Sequence, residues 1–395
     1  MSEAVIMEEN LKAQEAFPAG AKSVQHSTRA LFFIGGFGAA SWAPLVPLLR
    51  ARLGIGEDVL GMLLLCIGIG SLFTMPLSGA ASTRFGCRRV LTAASILYAV
   101  FLLILVQIEN MPLTVLTLLG FGAVMGAIDV VINIQAVIVE KAAGRRLMSG
   151  MHALWSVGGF TGAGLFGLWV GSFGLTPLMS TMIAAGVILL TIAIFSRFLL
   201  PYGGGGSGQL LAIPRGIVVF VGIISLIAFL VEGAVMDWGG VFLTTVRGFD
   251  ISLAGTGFTM FSAAMLTMRL VGDRLVNKLG SKLVILGGAT IAFLGFMALV
   301  FAPNMPLLYA GFFAIGIGSA NVVPVFFSLL GKQNEMPISL AVPAVSTLGY
   351  LGVLAGPAAI GFLAHITSLY AAFIFLGALV VLEGIFSAYV FKRLG

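Results

Sequence analysis

Charge is what this sequence has least of. Only 9% of its 395 residues are Asp, Glu, Lys or Arg, where a water-soluble domain carries about 25%. So few charges cannot clothe a soluble surface of that length. A 59% hydrophobic content and a mean hydropathy of +1.12 turn most of the chain toward lipid. Cysteine is nearly absent as well. Cys66 falls in an apolar run and Cys87 in a loop, with neither disulfide nor metal-ligand spacing. There is no Walker phosphate loop, no His–Glu–His zinc helix and no Gly-x-Ser-x-Gly elbow. ATP-driven work is therefore unsupported, and no catalytic residue, metal or cofactor is expected. The first 27 residues contain Glu3, Glu8, Glu9, Lys12, Glu15 and Lys22 and lack a signal peptide's apolar core, so residues 1–28 are expected to be a tail.

What is present is a series of long apolar runs. They do not alternate, which argues against a membrane β-barrel. At about 20 residues per span the chain holds about twelve helices. The fold class expected is thus an all-α membrane protein with twelve transmembrane helices in two pseudo-symmetric six-helix bundles, at 29–199 and 215–391. Pro201-Tyr202-Gly203 through Gly208 interrupts the apolar rhythm, and residues 200–214 are expected to form a flexible Gly-rich linker.

The net charge of +6 could indicate a nucleic-acid partner, but its distribution does not. With both termini inside, all but three of the 21 Lys and Arg residues fall at interior loops or span ends; Arg50, Arg52 and Arg247 are the exceptions. Such asymmetry sets membrane orientation, so both ends are expected to be cytoplasmic.

The two halves repeat. Trp42 and Gly61 match Trp238 and Gly257, and Arg84-Phe85-Gly86 matches Lys278-Leu279-Gly280. Gly126 and Asp129 match Gly318 and Asn321, and Ser156 and Gly159 match Ser346 and Gly349, at a separation that falls steadily along the chain. Parallel six-span repeats of this kind are described for one large class of transporters.

The chemistry-bearing residues cluster between Gly120 and Gly167. Asp129 and Asn133 are four apart on one helix face, continuing a stripe from Gly122 and Gly126. A carboxylate at the bilayer centre costs at least about 2.5–3.5 kcal/mol, so it must face protein or water. It also needs a proton or a counter-charge, the property a proton-coupled carrier uses. Glu232 is the second candidate of this type. Asp237 follows it by about 140° around a regular helix, so both reach one cavity only if the helix opens near Gly233 or Gly239-Gly240; Asp237 is assigned to an outer gate. Glu383 is expected to be structural. Asn133, Trp42, Ser156, Asn321, Ser346 and Tyr350 are candidate substrate contacts. Arg84, Arg88, Glu140, His152, Arg269 and Asp273 are candidate gate residues. Glu140 lies close to the basic 2–3 loop and Asp273 beside Arg269 and Arg274, and these charges are expected to pair across the cytoplasmic ends when the carrier opens outward and to separate when it opens inward.

The segment Gly79 through Arg89, with Arg84, Gly86, Arg88 and Arg89, resembles the loop 2–3 signature of the major facilitator superfamily, with Thr83 where an acid is usual. Met268 to Lys282 looks like its second-half counterpart. With Glu232 to Trp238, Asn321-Val322-Val323-Pro324-Val325 and Leu340 to Gly361, the chain resembles the YbjJ-type transporters grouped near the fucose permease. That resemblance implies sugar uptake coupled to protons, with a carboxylate on span 1 and another on span 4. Asp129 matches the second; span 1 offers only Ser41 and Trp42.

The expectation is a monomeric secondary transporter of a bacterial inner membrane, not an enzyme. It would take up a small polar, sugar-like solute with protons by alternating access through a central site, with lipid as its other partner and no nucleic acid. Two alternatives stand beside it. One is a proton-driven exporter of amphipathic drugs or metabolites, which the 31 Phe residues would suit. The other is a non-transporting receptor or scaffold.

Overall fold

A computed structural model describes residues 17–42, 44–55, 57–204, 213–249 and 256–394. The expected tail up to residue 16 and the glycine run at 205–212 lie outside the described residues. The described chain is all helical. In order come α1 (Lys22–Trp42), α2 (Leu45–Leu53), α3 (Glu57–Leu105), α4 (Met111–Ala143), α5 (Met148–Gly167) and α6 (Pro177–Phe195). They are followed by α7 (Ile217–Val241), α8 (Thr256–Leu279), α9 (Ser281–Phe301), α10 (Met305–Ser319), α11 (Val322–Leu330), α12 (Ile338–Ile366) and α13 (Leu369–Leu394).

Among the described residues nine helices are long and apolar enough to cross a membrane. One of them, Leu63–Leu105, is two helices in one, because Gly86 breaks α3 with φ 79° and ψ 156°. That backbone region is essentially closed to any residue with a Cβ. The polar helices α1 and α8 fall outside the nine, and α10 and α11 together make one span, Met305–Leu330. The helix order is thus consistent with twelve spans.

The chain separates into two compact units. The first holds the described residues up to Leu147, Met151–Ile213 and Pro337–Ala344; the second holds Met148–Gly150, Pro214–Met336 and the described residues from Val345. In the first unit α3 packs along α4, and Trp42, Phe121 and Tyr98 stack at 5.9 and 4.9 Å between ring centres. The second is built on a phenylalanine core in which Phe373 stacks on Phe242 at 4.5 Å and meets Phe296 at 6.2 Å.

The repeat is written in backbone geometry. Gly280 adopts φ 82° and ψ 149°, the conformation of Gly86, at the start of α9. The left-handed turns at Gly54 and Gly248 correspond in the same way. Asn110 and Asn304 each cap a helix by accepting from the N–H three residues on, at 3.0 Å, each followed by Met and Pro. Arg52 donates to Leu105 O at 2.7 Å, and Arg247 to Val300 O at 2.8 Å and Ala302 O at 3.1 Å, each tying off the end of the matching span. A Cβ on Gly122 would strike Ile67 O, and one on Gly316 would strike Phe261 O. The glycine and asparagine pairs share one separation, and the arginine pair is one residue longer, so the repeat keeps register as far as Gly316. Beyond it α10 ends at Ser319 and Asn321 precedes a new helix, α11. The pairing of Asp129 with Asn321 falls on that break.

A methyl group at position 122 should therefore separate α3 from α4. Overpacking costs about 1–3 kcal/mol, so Gly122→Ala should lower the thermal unfolding midpoint in detergent by several degrees. Gly186→Ala, with open space around it, should leave the midpoint unchanged. Equal midpoints for the two variants would refute the close helix contact.

Candidate functional site

On α4 the glycine half of the polar stripe is a docking surface. Ser71 Oγ on α3 donates to Gly122 O at 2.7 Å, and a Cβ on Gly126 would come within 2.9 Å of the Ser71 backbone. Gly122 and Gly126 therefore meet a helix rather than line a solute path. Their function is to fix α4, and with it the two polar residues on the next turns. Asp129 is half-buried and Asn133 buried. Asn133 Nδ2 donates to Asp129 O at 2.9 Å and to Asp129 Oδ1 at 3.3 Å, so it orients the carboxylate from one turn away. Asn133 Oδ1 has no partner among the described residues.

Farther along α4, Gln135 Nε2 donates to Thr28 Oγ1 at 2.9 Å, and its Oε1 accepts from Leu200 N at 3.1 Å. This anchors the chain beyond α6. Arg88 completes the anchor: its N–H bonds Leu200 O at 2.7 Å, Nε bonds Leu199 O at 2.9 Å, and Nη2 bonds Arg197 O at 2.8 Å. Cys87 N reaches Tyr202 O at 3.2 Å. Residues 199–204 are thus held against the elbow at Gly86, where the composition implied a flexible start to the linker. Backbone pairing decides this, and composition does not record it.

Glu140 makes local bonds at the end of α4. Glu140 Oε2 accepts from Leu147 N at 2.7 Å, and its Oε1 lies 4.0 Å from Arg146 Nη1, all within one elbow. Arg84 is exposed, its guanidinium over the Phe85 ring at 5.2 Å. His152 packs its ring 5.0 Å from Phe32, and Ser156 donates back to His152 O at 3.4 Å. Trp42 is buried in the aromatic stack described above.

In the second unit α7, α8 and the α10–α11 junction assemble a charged cluster. Arg269, read from sequence as a loop-end charge, lies inside α8 with 8% exposure. The helix runs on to Leu279, about 15 Å beyond Arg269 at 1.5 Å per residue. That extra length escaped the sequence estimate of the span end and with it the arginine's depth. Arg269 Nη2 lies 3.8 Å from Glu232 Oε2, and its Nε donates to Ala320 O at 3.3 Å. One turn along, Asp273 accepts from Ser149 N at 3.0 Å and Gly150 N at 2.8 Å, neutralising the positive end of α5. Asn321 is buried beside Gly272, with no partner for either side-chain atom among the described residues.

Helix α7 stays regular from Ile217 to Val241 and widens to a π-turn only at Phe242–Val246. It does not open at Gly233 or Gly239, so Glu232 and exposed Asp237 remain on different faces. Trp238 packs where a Cβ on Gly361 would sit. Ser346 is buried with an unpartnered Oγ, again among the described residues, and Tyr350 lies half-buried one turn on. Glu383 is buried on α13, and Ser387 donates to its carbonyl at 2.7 Å.

Apolar spanning helices in a repeated order, with carboxylates, amides and a guanidinium placed along them, define a multi-pass membrane protein. The chain belongs to the Major Facilitator Superfamily, whose family model matches residues 30–333 and again 221–394. An uncharacterised MFS-type transporter of Yersinia pestis is 46% identical over 353 residues, 89% of this chain and 91% of that protein. Among solved structures, the human organic anion transporter MFSD10 superposes with a TM-score of 0.74 at 16% identity, covering 94% of this chain and 99% of its own. The E. coli fucose:proton symporter FucP gives 0.74 at 16% identity, covering 93% and 98%. The structural likenesses establish the fold, and the protein is a transporter rather than an enzyme.

The anchor beneath the elbow can be tested directly. Arg88→Gln removes the guanidinium bonds to Arg197 O and Leu199 O, so amide hydrogen exchange across 197–204 should quicken at least tenfold. Arg84→Gln, which touches none of these carbonyls, should leave the segment protected. Unchanged protection in Arg88→Gln would mean the backbone bonds alone hold it.

Proposed function

We propose that the protein is a secondary active transporter of a bacterial inner membrane, with both termini cytoplasmic. It takes up a small polar, sugar-like solute by alternating access and couples uptake to protons. The observation that carries this reading is Asp129, half-buried on an apolar helix and oriented by Asn133, with no cation paired to it among the described residues. A carboxylate so placed accepts a proton on one side of the membrane and releases it on the other. Asp129 is the principal coupling group, and Glu232, which already faces Arg269, is the second. Support for a sugar-like cargo comes from FucP, a fucose:proton symporter of the same fold.

Asn133, Ser156, Asn321, Ser346 and Tyr350 are proposed to supply neutral donors and acceptors for the solute, with Trp42 shaping the wall. Asp273 of α8, which accepts from the first turn of α5, is proposed for the inner gate together with Arg84, Arg88, Glu140 and His152. Asp237 serves the outer one. The carrier works as a monomer in this reading.

The test uses the full chain in proteoliposomes containing a pH-sensitive dye. A panel of sugars, sugar acids, polyols and nucleosides is added, and the solute that produces a pH change becomes the labelled probe. Asp129→Asn keeps the side chain's shape and mimics its protonated form. It should retain counterflow exchange of that probe while its accumulation under an imposed pH gradient falls at least tenfold. Wild-type accumulation by Asp129→Asn would remove Asp129 as the coupling site. A panel that moves no protons at all would remove proton coupling.

A further inference from the structure

A carrier of a neutral polar solute has no need of a guanidinium inside its membrane helices, where arginine is costly and functional by default. Arg269 is 8% exposed, while the Glu232 side chain opposite is 37% exposed. Their 3.8 Å separation exceeds the 2.7–2.9 Å of a closed charge-assisted bond. The pair is attracted but not clasped. Asp273, the other acid near Arg269, has its two oxygens occupied by the Ser149 and Gly150 N–H groups.

The neighbouring amide is the second observation. Asn321 is 3% exposed, and neither its Nδ2 nor its Oδ1 has a partner among the described residues. A buried amide without partners is a group that awaits one. Its Oδ1 sits over Gly272, where a Cβ would collide with it, and Arg269 Nε bonds the carbonyl of the residue just before it. Donor amide and guanidinium therefore stand side by side, next to the half-open carboxylate of Glu232.

We infer that Arg269 and Asn321 form an anion subsite, and that the solute is a sugar acid whose carboxylate displaces Glu232 from the guanidinium. This rests on the transporter reading and narrows its polar solute. The guanidinium fork matches the two oxygens of a carboxylate, and Asn321 Nδ2 donates to the acid's oxygen or the adjacent hydroxyl. Glu232 already offsets the charge of this one buried arginine, so a dianion such as a phosphate ester would bring a second negative charge with no cation to meet it. A monoanion that trades places with Glu232 leaves the local charge unchanged apart from the carboxylate that it frees.

The experiment measures binding to the purified full chain by calorimetry, and counterflow in proteoliposomes. The probes are three pairs of acid and neutral mate: gluconate and glucitol, galacturonate and galactose, glycerate and glycerol. At least one acid should bind at least tenfold more tightly than its mate. Arg269→Gln should weaken that acid at least tenfold. Glu232→Gln removes the competitor and should tighten it several-fold. Asn321→Asp adds a negative charge at nearly constant shape, so it should weaken the acid at least tenfold and its neutral mate less than twofold. Should Arg269→Gln fail to fold, judged by its size-exclusion profile, the other two variants decide.

Neutral mates that bind or move as well as their acids overturn the anion subsite and leave the transporter reading standing. So does a Glu232→Gln variant that loses the acid, because the ion pair would then be a structural strut. If neither set binds or moves, the subsite falls together with the sugar-like cargo.

Discussion

The structure depends on how closely helices can approach in a solvent that does not push them together. Lipid tails are as apolar as Leu, so packing contacts and small residues must hold the spans. At Gly122 the α4 backbone meets Ile67 O, and at Gly316 the α10 backbone meets Phe261 O, distances that exclude even a methyl group. Gly70 approaches Leu119 O, and Gly158 approaches Phe33 O, in the same way. Each contact fixes the rotation and depth of two helices at once. The polar residues inherit that precision: Asp129 follows Gly126 by less than one turn on α4, and Asn321 follows Gly318 just past the end of α10.

Polar groups inside such a packing have to be accounted for individually. Most are satisfied locally, as when Ser41, Thr117, Thr181 and Thr191 return their hydroxyl protons to carbonyls one turn back. An unsatisfied buried group costs about 1–3 kcal/mol. Among the described residues the exceptions include Asn133 Oδ1 beside Asp129, both side-chain atoms of Asn321 near Arg269, and Ser346 Oγ on α12. Each unit thus leaves a buried amide with unspent hydrogen-bonding capacity next to a membrane-embedded charge. A scaffold would have reason to place such groups elsewhere or to replace them.

Much of this was legible in the sequence because membrane physics leaves few options. Apolar runs, alternating basic loops and paired signatures at Gly86 and Gly280 led to an all-helical repeat protein, and the fold agrees. The departures have specific causes. The stripe Gly122–Gly126–Asp129–Asn133 has one helical period, yet its glycine half meets α3 and only its polar half is left for chemistry; periodicity gives the face and not the neighbour. Arg269 was placed near a loop because hydropathy fades before a polar helix ends, while α8 continues to Leu279. The Asn-Met-Pro-Leu segments at 110–113 and 304–307 carry the clearest repeat in the chain, and their meaning emerges only as matched caps. Residues 199–204 look like the start of a glycine linker, but Arg88 and Gln135 bind their backbone.

Rigid contacts and deformable segments are also kept apart along the helices. The glycine–carbonyl contacts lie within regular α-helix. Departures from α geometry occur elsewhere: the π-turns at Leu168–Ser172 and Phe242–Val246 close the helices α5 and α7, and the interruption between α10 and α11 falls at Ala320 and Asn321. Such irregular turns within helices often mark functional positions. A span that must move can change its backbone at these turns without disturbing the tight contacts that hold the carboxylates in place. The break before Asn321 is the one that falls inside a polar cluster. There the backbone that supplies Ala320 O to Arg269 is also the backbone free to change, so the hold on the arginine and the shape of the helix are set at one point.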